Sequence, residues 1–154
     1  PLKLVRNTAP LAADHFLEYV YCGHYDGTVF HQVVDGYIIL GGGFTVDFEE
    51  KDARTPIRNE AHQSGKNLRG TIAMARHFDT IDSATCQFFI NLNDNPMLDH
   101  KGREVDNYGY CVFGEVVEGW DVVEQIAGVE VEDAEDFELK PVQTVVIESA
   151  HVLR

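Results

Sequence analysis

The chain has 154 residues, 44% of them apolar and 25% charged, which is the composition of one folded domain spanning residues 1–154. Twelve Lys and Arg against 26 Asp and Glu leave a formal charge of −14, so phosphate backbones and anionic lipid surfaces are repelled. Nucleic acid and membrane are therefore not expected partners, and no run approaches the roughly 18 apolar residues of a bilayer span.

Taken in chain order, the first periodic segment places Ala13, Phe16, Leu17 and Val20 at i, i+3, i+4 and i+7. This spacing predicts a helix, with Thr8 and Pro10 suited to its entry and Gly23 to its exit. Strands follow at Thr28–Val34 and Tyr37–Leu40. The stretch from about Phe44 to Arg69 is long, polar and without period, and is expected to be a functional or wandering loop. Further strands are predicted at Gly70–Ala75, Cys86–Leu92 and Tyr110–Val117, then a short helix from about Trp120 to Ala127 stopped by Gly128. Glu130–Glu138 carries six acids in nine residues and reads as a solvated loop, and Thr144–Leu153 as a last strand. Few strands are separated by a helix, so a mostly antiparallel, nearly closed sheet capped by two helices fits better than a parallel βαβ array.

Local motifs exclude several chemistries. Gly41-Gly42-Gly43 lacks the spacing of a phosphate loop and reads as a turn or a place of close backbone approach. The seven histidines form no H-x-x-x-H or Cys/His grouping, so no metal is expected. Cys22, Cys86 and Cys111 are odd in number and widely spaced, and read as small buried hydrophobes in a reducing compartment. No nucleophile elbow or Cys/His setting points to covalent catalysis. Polar and aromatic residues do recur inside strands, at Phe30-His31-Gln32, Tyr37 and Gln87-Phe88-Phe89 with Asn91, and together they suggest one amphipathic surface.

Four ordered blocks carry a family resemblance. Phe30-His31-Gln32-Val33-Val34-Asp35-Gly36-Tyr37-Ile38-Ile39-Leu40-Gly41-Gly42-Gly43-Phe44 resembles the signature strand pair of the cyclophilins. Asn67–Arg76 resembles the strand that follows, and Ser83–Asn91 and Tyr108–Val116 complete the set, the Tyr-Gly-Tyr-Cys-Val-Phe form resembling the bacterial branch. The resemblance implies a mainly β fold, an eight-stranded antiparallel barrel capped by two helices, and peptidyl-prolyl cis-trans isomerase activity on proline-containing peptides or unfolded proteins without cofactor or metal. The family's opening strand has no counterpart after Pro1, which would leave the C-terminal strand with an open edge.

By the same resemblance the proline socket corresponds to Tyr37, Ile38, Phe89 and Leu98, with Met97 and Tyr110 at its rim. Gln87 and the backbone around Ala75 and Arg76 would hold the peptide, and His31 and Leu40 complete the substrate-binding set. Gln32 stands where the family has its catalytic Arg, and with Phe89 it makes up the catalytic pair. Leu40 replaces a family Gln that helps position that Arg. A weakened isomerase is therefore expected, the alternatives being an inactive module that holds proline segments and, on charge alone, a docking subunit for a basic partner. Met97 stands where cyclosporin-sensitive members have Trp, so weak cyclosporin binding is expected. A monomer is the expected state and the cytoplasm the expected compartment, with the periplasm the alternative if a signal was removed.

Overall fold

The computed structural model describes residues 1–153. Its strands are β1 (Leu2–Leu4), β2 (Thr28–Val34), β3 (Ile38–Thr45), β4 (Thr71–Met74), β5 (Phe88–Asn91), β6 (Val112–Val116), β7 (Val131–Ala134), β8 (Phe137–Pro141) and β9 (Val146–Ile147). Helix α1 runs Pro10–Tyr21 and α2 Trp120–Ala127, with one 3-10 turn at Pro96–Leu98. Seven strands pair antiparallel in the order β1-β6-β4-β5-β3-β2-β9, and β7 and β8 form a separate hairpin. The fold is thus mainly β with two helices, as expected, but the strand count differs. Among the described residues β1 and β9 are not paired with each other, so the sheet curls without closing. An apolar cavity lined by Leu2, Phe16, Ile39, Phe88, Val123 and Ile147 lies at the gap.

Strand alternation decides what is inside. Val33, Ile39, Ile90 and Ile72 are in register across β2, β3, β5 and β4 and are all buried. Phe16 of α1 closes over this layer, its ring 5.0 Å from those of Tyr25 and Phe113 and 5.7 Å edge-on to Phe88. Each such side chain contributes about 1.5–3 kcal/mol by leaving water. The α2 helix matches its predicted span and buries only Val123.

Five parts depart from the sequence reading. β1 was not expected, because three residues are too few to show a period; it pairs Leu2 with Val116 and Leu4 with Gly114. The strand expected over Thr144–Leu153 keeps only Val146–Ile147, since beyond it the chain turns along α1 and the Ala150 amide donates to Asp26 Oδ1 at 2.9 Å. The acidic block is not a loop but the β7–β8 hairpin. Its acids face water while Phe137 packs against His31, Phe44 and Phe48, and the Lys140 ammonium sits 3.9 Å over the Phe48 ring. Cys86 and Cys111 are buried, but Cys22 is exposed at the end of α1.

The stretch following β3 is the fifth. Instead of wandering, it pairs Phe44 with Glu50 and Ile57 with Ala84 and buries Asn59, Glu60 and Asn67. Helix α1 has Ala9 at its N-cap and no capping side chain of its own. Glu60 supplies the cap across the sequence, its two carboxylate oxygens accepting from Leu11 N at 3.3 Å and Ala12 N at 3.0 Å. An acceptor anion there meets both the unpaired helix amides and the positive end of the helix dipole.

Two outcomes follow. Glu60→Ala leaves buried amide donors unpaired and is expected to lower unfolding free energy by about 1–2 kcal/mol, read from the urea midpoint at constant m-value. His31 is buried under the hairpin, and among the described residues its Nδ1 has no hydrogen-bond partner; desolvation pulls its pKa from 6.5 down to about 4. The unfolded chain therefore takes up this proton first, so the contribution is intact above pH 6.5 and is lost as pH falls toward 4. The loss approaches about 3 kcal/mol. Denaturation at pH 7 and pH 4.5 is expected to show a smaller acid loss in His31→Phe than in the wild type; equal losses would disprove the assignment.

Candidate active site

On the face of the sheet opposite the α1 layer a second row runs in register: Gln32 opposite Leu40, Leu40 opposite Phe89, Phe89 opposite Ala73, and Ala73 opposite Val112. Phe30 and Gln32 have the same parity in β2, so a regular strand would point them to one face. It does not, because Phe30 pairs with Gly41 and Gln32 with the next residue, Leu40, leaving His31 as the extra residue of a bulge. Bulges re-aim side chains in this way. Phe30 thus meets Phe88 inside, with ring centroids 6.0 Å apart, while Gln32 joins the outer row.

Around that row lies a compact apolar cluster. Ala73, Phe89, Leu98 and Val112 are its buried floor, and Tyr37, Ile38, Leu40, Ala75 and Tyr110 pack against them half-buried. The Phe89 and Tyr110 rings meet edge-on at 5.6 Å. Burial, and then the neighbouring Tyr110, push the Tyr37 phenol above its ordinary range, so it stays a neutral donor. Met97, on the 3-10 turn beside Leu98, is 60% exposed and stands at the edge. Two residues are placed differently from the rest. His31 lies outside this cluster, buried against Phe44 and Phe137, because the bulge turns it toward the hairpin. The Arg76 side chain is not a free cation in the groove: its guanidinium donates to the carbonyls of Gly109, His77 and Val105 at 3.0–3.2 Å and lies 4.7 Å over the Tyr110 ring.

The three glycines of β3 make room for this arrangement. A Cβ on Gly43 would fall 2.6 Å from Gln87 Cγ, so glycine there lets the Gln87 amide lie across the strand. A Cβ on Gly41 would fall 2.7 Å from the Val29 carbonyl, the close backbone approach that the sequence suggested. Among the described residues the Gln32 and Gln87 amides and the Tyr37 and Tyr110 hydroxyls make no side-chain hydrogen bond. The groove therefore offers an apolar floor with neutral donors along its edges, and no cluster of His, Cys, Asp or Glu suited to a metal occurs among the described residues.

Sequence reasoning missed the polar support beneath the socket. Asn67, Asn91 and Asn95 are almost fully buried and bonded to one another and to the backbone of Tyr37, Leu98 and Tyr110. The only available signal was an amide, Asn91, inside the otherwise apolar strand β5.

The family model of cyclophilin-type peptidyl-prolyl cis-trans isomerase/CLD matches residues 1–152. The chain is 48% identical to peptidyl-prolyl cis-trans isomerase cyp18 of Streptomyces antibioticus over 152 residues, covering 99% of this chain and 91% of that one. It is 44% identical to peptidyl-prolyl cis-trans isomerase B of Escherichia coli (strain K12), covering 98% and 92% of the two chains. Among solved structures, a Cryptosporidium parvum cyclophilin-type isomerase, crystallised in the presence of the dipeptide Ala-Pro, has the same fold at TM-score 0.77 and 22% identity, covering 99% of this chain and 92% of that one. With an outer-face groove, a curled antiparallel sheet and a whole-chain family match, the chain belongs to the cyclophilin-type peptidyl-prolyl cis-trans isomerases.

Proposed function

We infer that the groove grips the proline ring of Xaa-Pro segments and lowers the barrier to rotation of the preceding amide, with reduced efficiency because its donor is an amide. The observation that carries this reading is the cross-strand row that sets Gln32 two residues from Phe89, with Leu40 between them. Amide resonance holds the Xaa-Pro bond against rotation by about 18–20 kcal/mol, and uncatalysed exchange takes tens to hundreds of seconds. Twisting the bond localises a lone pair on the proline nitrogen. A site that lowers the barrier must hold the ring while the acyl side turns, and must offer a donor where that lone pair develops. Phe89, Leu98, Tyr37 and Ile38 supply the grip, Tyr110 and Met97 the rim, Gln87 and the backbone at Ala75 and Arg76 the contacts along the peptide, and Gln32 the donor. No bond is made or broken, and no cofactor or metal takes part.

A hydrogen bond from a charged donor is worth about 1.5–3 kcal/mol and a neutral one about 0.5–1.5. Replacing guanidinium by amide therefore forfeits about 1–2 kcal/mol of transition-state stabilisation, some five- to thirtyfold in rate. The same neutral donor favours the second reading, a module that holds proline segments without turning them. Two-dimensional NMR exchange on a short Ala-Pro peptide, with substoichiometric protein, separates the two. Cis/trans exchange cross-peaks dependent on the protein support the isomerase; peptide shifts without exchange support the holding module.

Two outcomes test the assignment of the donor and the rim. Gln32→Arg combined with Leu40→Gln is expected to raise kcat/KM about five- to thirtyfold, and unchanged efficiency would overturn the account of the weakened site. Cyclosporin is expected to inhibit weakly, because the Met97 thioether has no N–H to donate; submicromolar inhibition would contradict the role given to Met97. In this reading the protein works as a monomer, since each groove is built from one chain.

A further inference from the structure

Three buried asparagines run in a single file beneath the groove. Asn95 Nδ2 donates to the Tyr37 carbonyl at 3.0 Å and to Asn91 Oδ1 at 2.9 Å. Asn91 Nδ2 donates to Asn67 Oδ1 at 3.1 Å and to Thr71 Oγ1 at 2.9 Å. Asn67 Nδ2 donates to the carbonyls of Leu98 at 3.1 Å and Tyr110 at 3.3 Å, and to Asp99 Oδ1 at 3.2 Å. The three residues are 3%, 0% and 1% exposed, so no bond in the file is exchangeable with water at low cost.

The direction of the file is fixed at both ends. Asn67 Nδ2 faces two carbonyls and a carboxylate, all acceptors, so its oxygen must face Asn91; the Tyr37 carbonyl at the other end, which also accepts from Leu92 N at 2.8 Å, is an acceptor and so requires the amide nitrogen of Asn95. Every carboxamide therefore donates the same way, the arrangement in which each bond polarises the next. The backbone repeats the tie, with Asn95 N donating to the Asn67 carbonyl at 2.8 Å and Tyr110 N to the Leu98 carbonyl at 2.9 Å. The ends of the file are three walls of the socket: Tyr37 on one side, Leu98 and Tyr110 on the other.

We propose that Asn95, Asn91 and Asn67 are positioning residues that set the width of the proline socket, by holding the Tyr37 wall at a fixed distance from the Leu98 and Tyr110 wall. The proposal rests on the proline-binding reading of the groove. The file touches neither the peptide nor the donor Gln32, so it governs grip in ground and transition state alike. Loss of such uniform binding raises KM and leaves kcat in place, whereas loss of folded protein lowers apparent kcat and leaves KM in place.

The test is Asn95→Ala, with Asn95→Ser as a milder variant should the first be poorly folded, and Val123→Ala as a control weakened on the inner face of the sheet, where Val123 packs with Phe16, Ile39 and Phe88. Peptide affinity is read by NMR titration and turnover by exchange on the same Ala-Pro peptide. Asn95→Ala is expected to raise Kd and KM together by about three- to tenfold, with kcat within about twofold, and Asn95→Ser to fall between it and the wild type. Val123→Ala is expected to lower Tm with KM unchanged. The Tyr110 amide resonance, at the far end of the file, is expected to shift in Asn95→Ala and to stay in place in Val123→Ala. Unchanged Kd and KM in a folded Asn95→Ala, or a Tyr110 resonance that does not move, would overturn the proposal. Should the wild type neither bind nor turn over the peptide, the functional reading fails, and the Tyr110 resonance still judges the file.

Discussion

Pairing register is the constraint on which this molecule depends. In β3, β5 and β4 one set of alternate residues, Ile39, Ile90 and Ile72, fills the interior, and the other, Leu40, Phe89 and Ala73, forms the outer face. A slip of one residue would exchange the two sets, burying the groove and exposing the core. The bulge at His31 is the one place where β2 departs from this alternation near the site, and it lets Phe30 serve the interior while Gln32 serves the groove. Opposite it, β3 absorbs a second irregularity between its pairings to Thr28 and Phe30, over Gly42 and Gly43. Gly42 has φ +92°, and its missing Cβ leaves space for the Phe88 and Tyr25 rings. Glycine at this point is required by both the backbone angle and the packing.

The long connection between β3 and β4 then ties the separate layers together. Glu60 reaches the N-terminus of α1, Asn59 Nδ2 donates to the carbonyls of Ile81 and Gly109, and Asn67 reaches Leu98 and Tyr110. Each is a buried polar group, costly if unpaired and rigid when paired. The same loop that closes the helix end thus also fixes the rim of the groove. The α1 layer and the outer face, though on opposite sides of the sheet, share one anchor.

This explains what could be read from the sequence and what could not. The span of α2 and the central strands were legible because their apolar periods are local and their stops are Gly128 and the turn at Asp35-Gly36. Most residues of the outer apolar cluster were legible through the family blocks. The asparagine file was not, because its direction is decided at its two ends, by partners 31 to 58 residues away, and leaves no period in the sequence. The hairpin was misread for a related reason: six acids announce solvent, and they do face it, but Phe137 on the other face decides the fold of the segment. The packing of His31 against the hairpin was not legible, because a bulge changes a side chain's face without changing its neighbours in sequence.

In the proposed reading Gln32, where the resemblance puts an Arg, and Leu40, where it puts a Gln, act as one unit. These positions are directly opposite in the β2–β3 ladder, so each is the other's closest cross-strand neighbour. A half-buried guanidinium beside Leu40 would face a neighbour with no acceptor, and an unpaired charge at partial burial is more costly than an unpaired amide. Conversely, an amide at position 32 has no need of a polar side chain to aim it, which frees position 40 to extend the apolar floor toward Phe89. Tyr37 then adds a phenol at the groove wall, held there by the Asn95 bond to its carbonyl, so the site is rebuilt from neutral donors on an apolar base. In the proposed reading a groove of that kind keeps its grip on proline independent of any charge, while its pull on the developing lone pair is the weaker part.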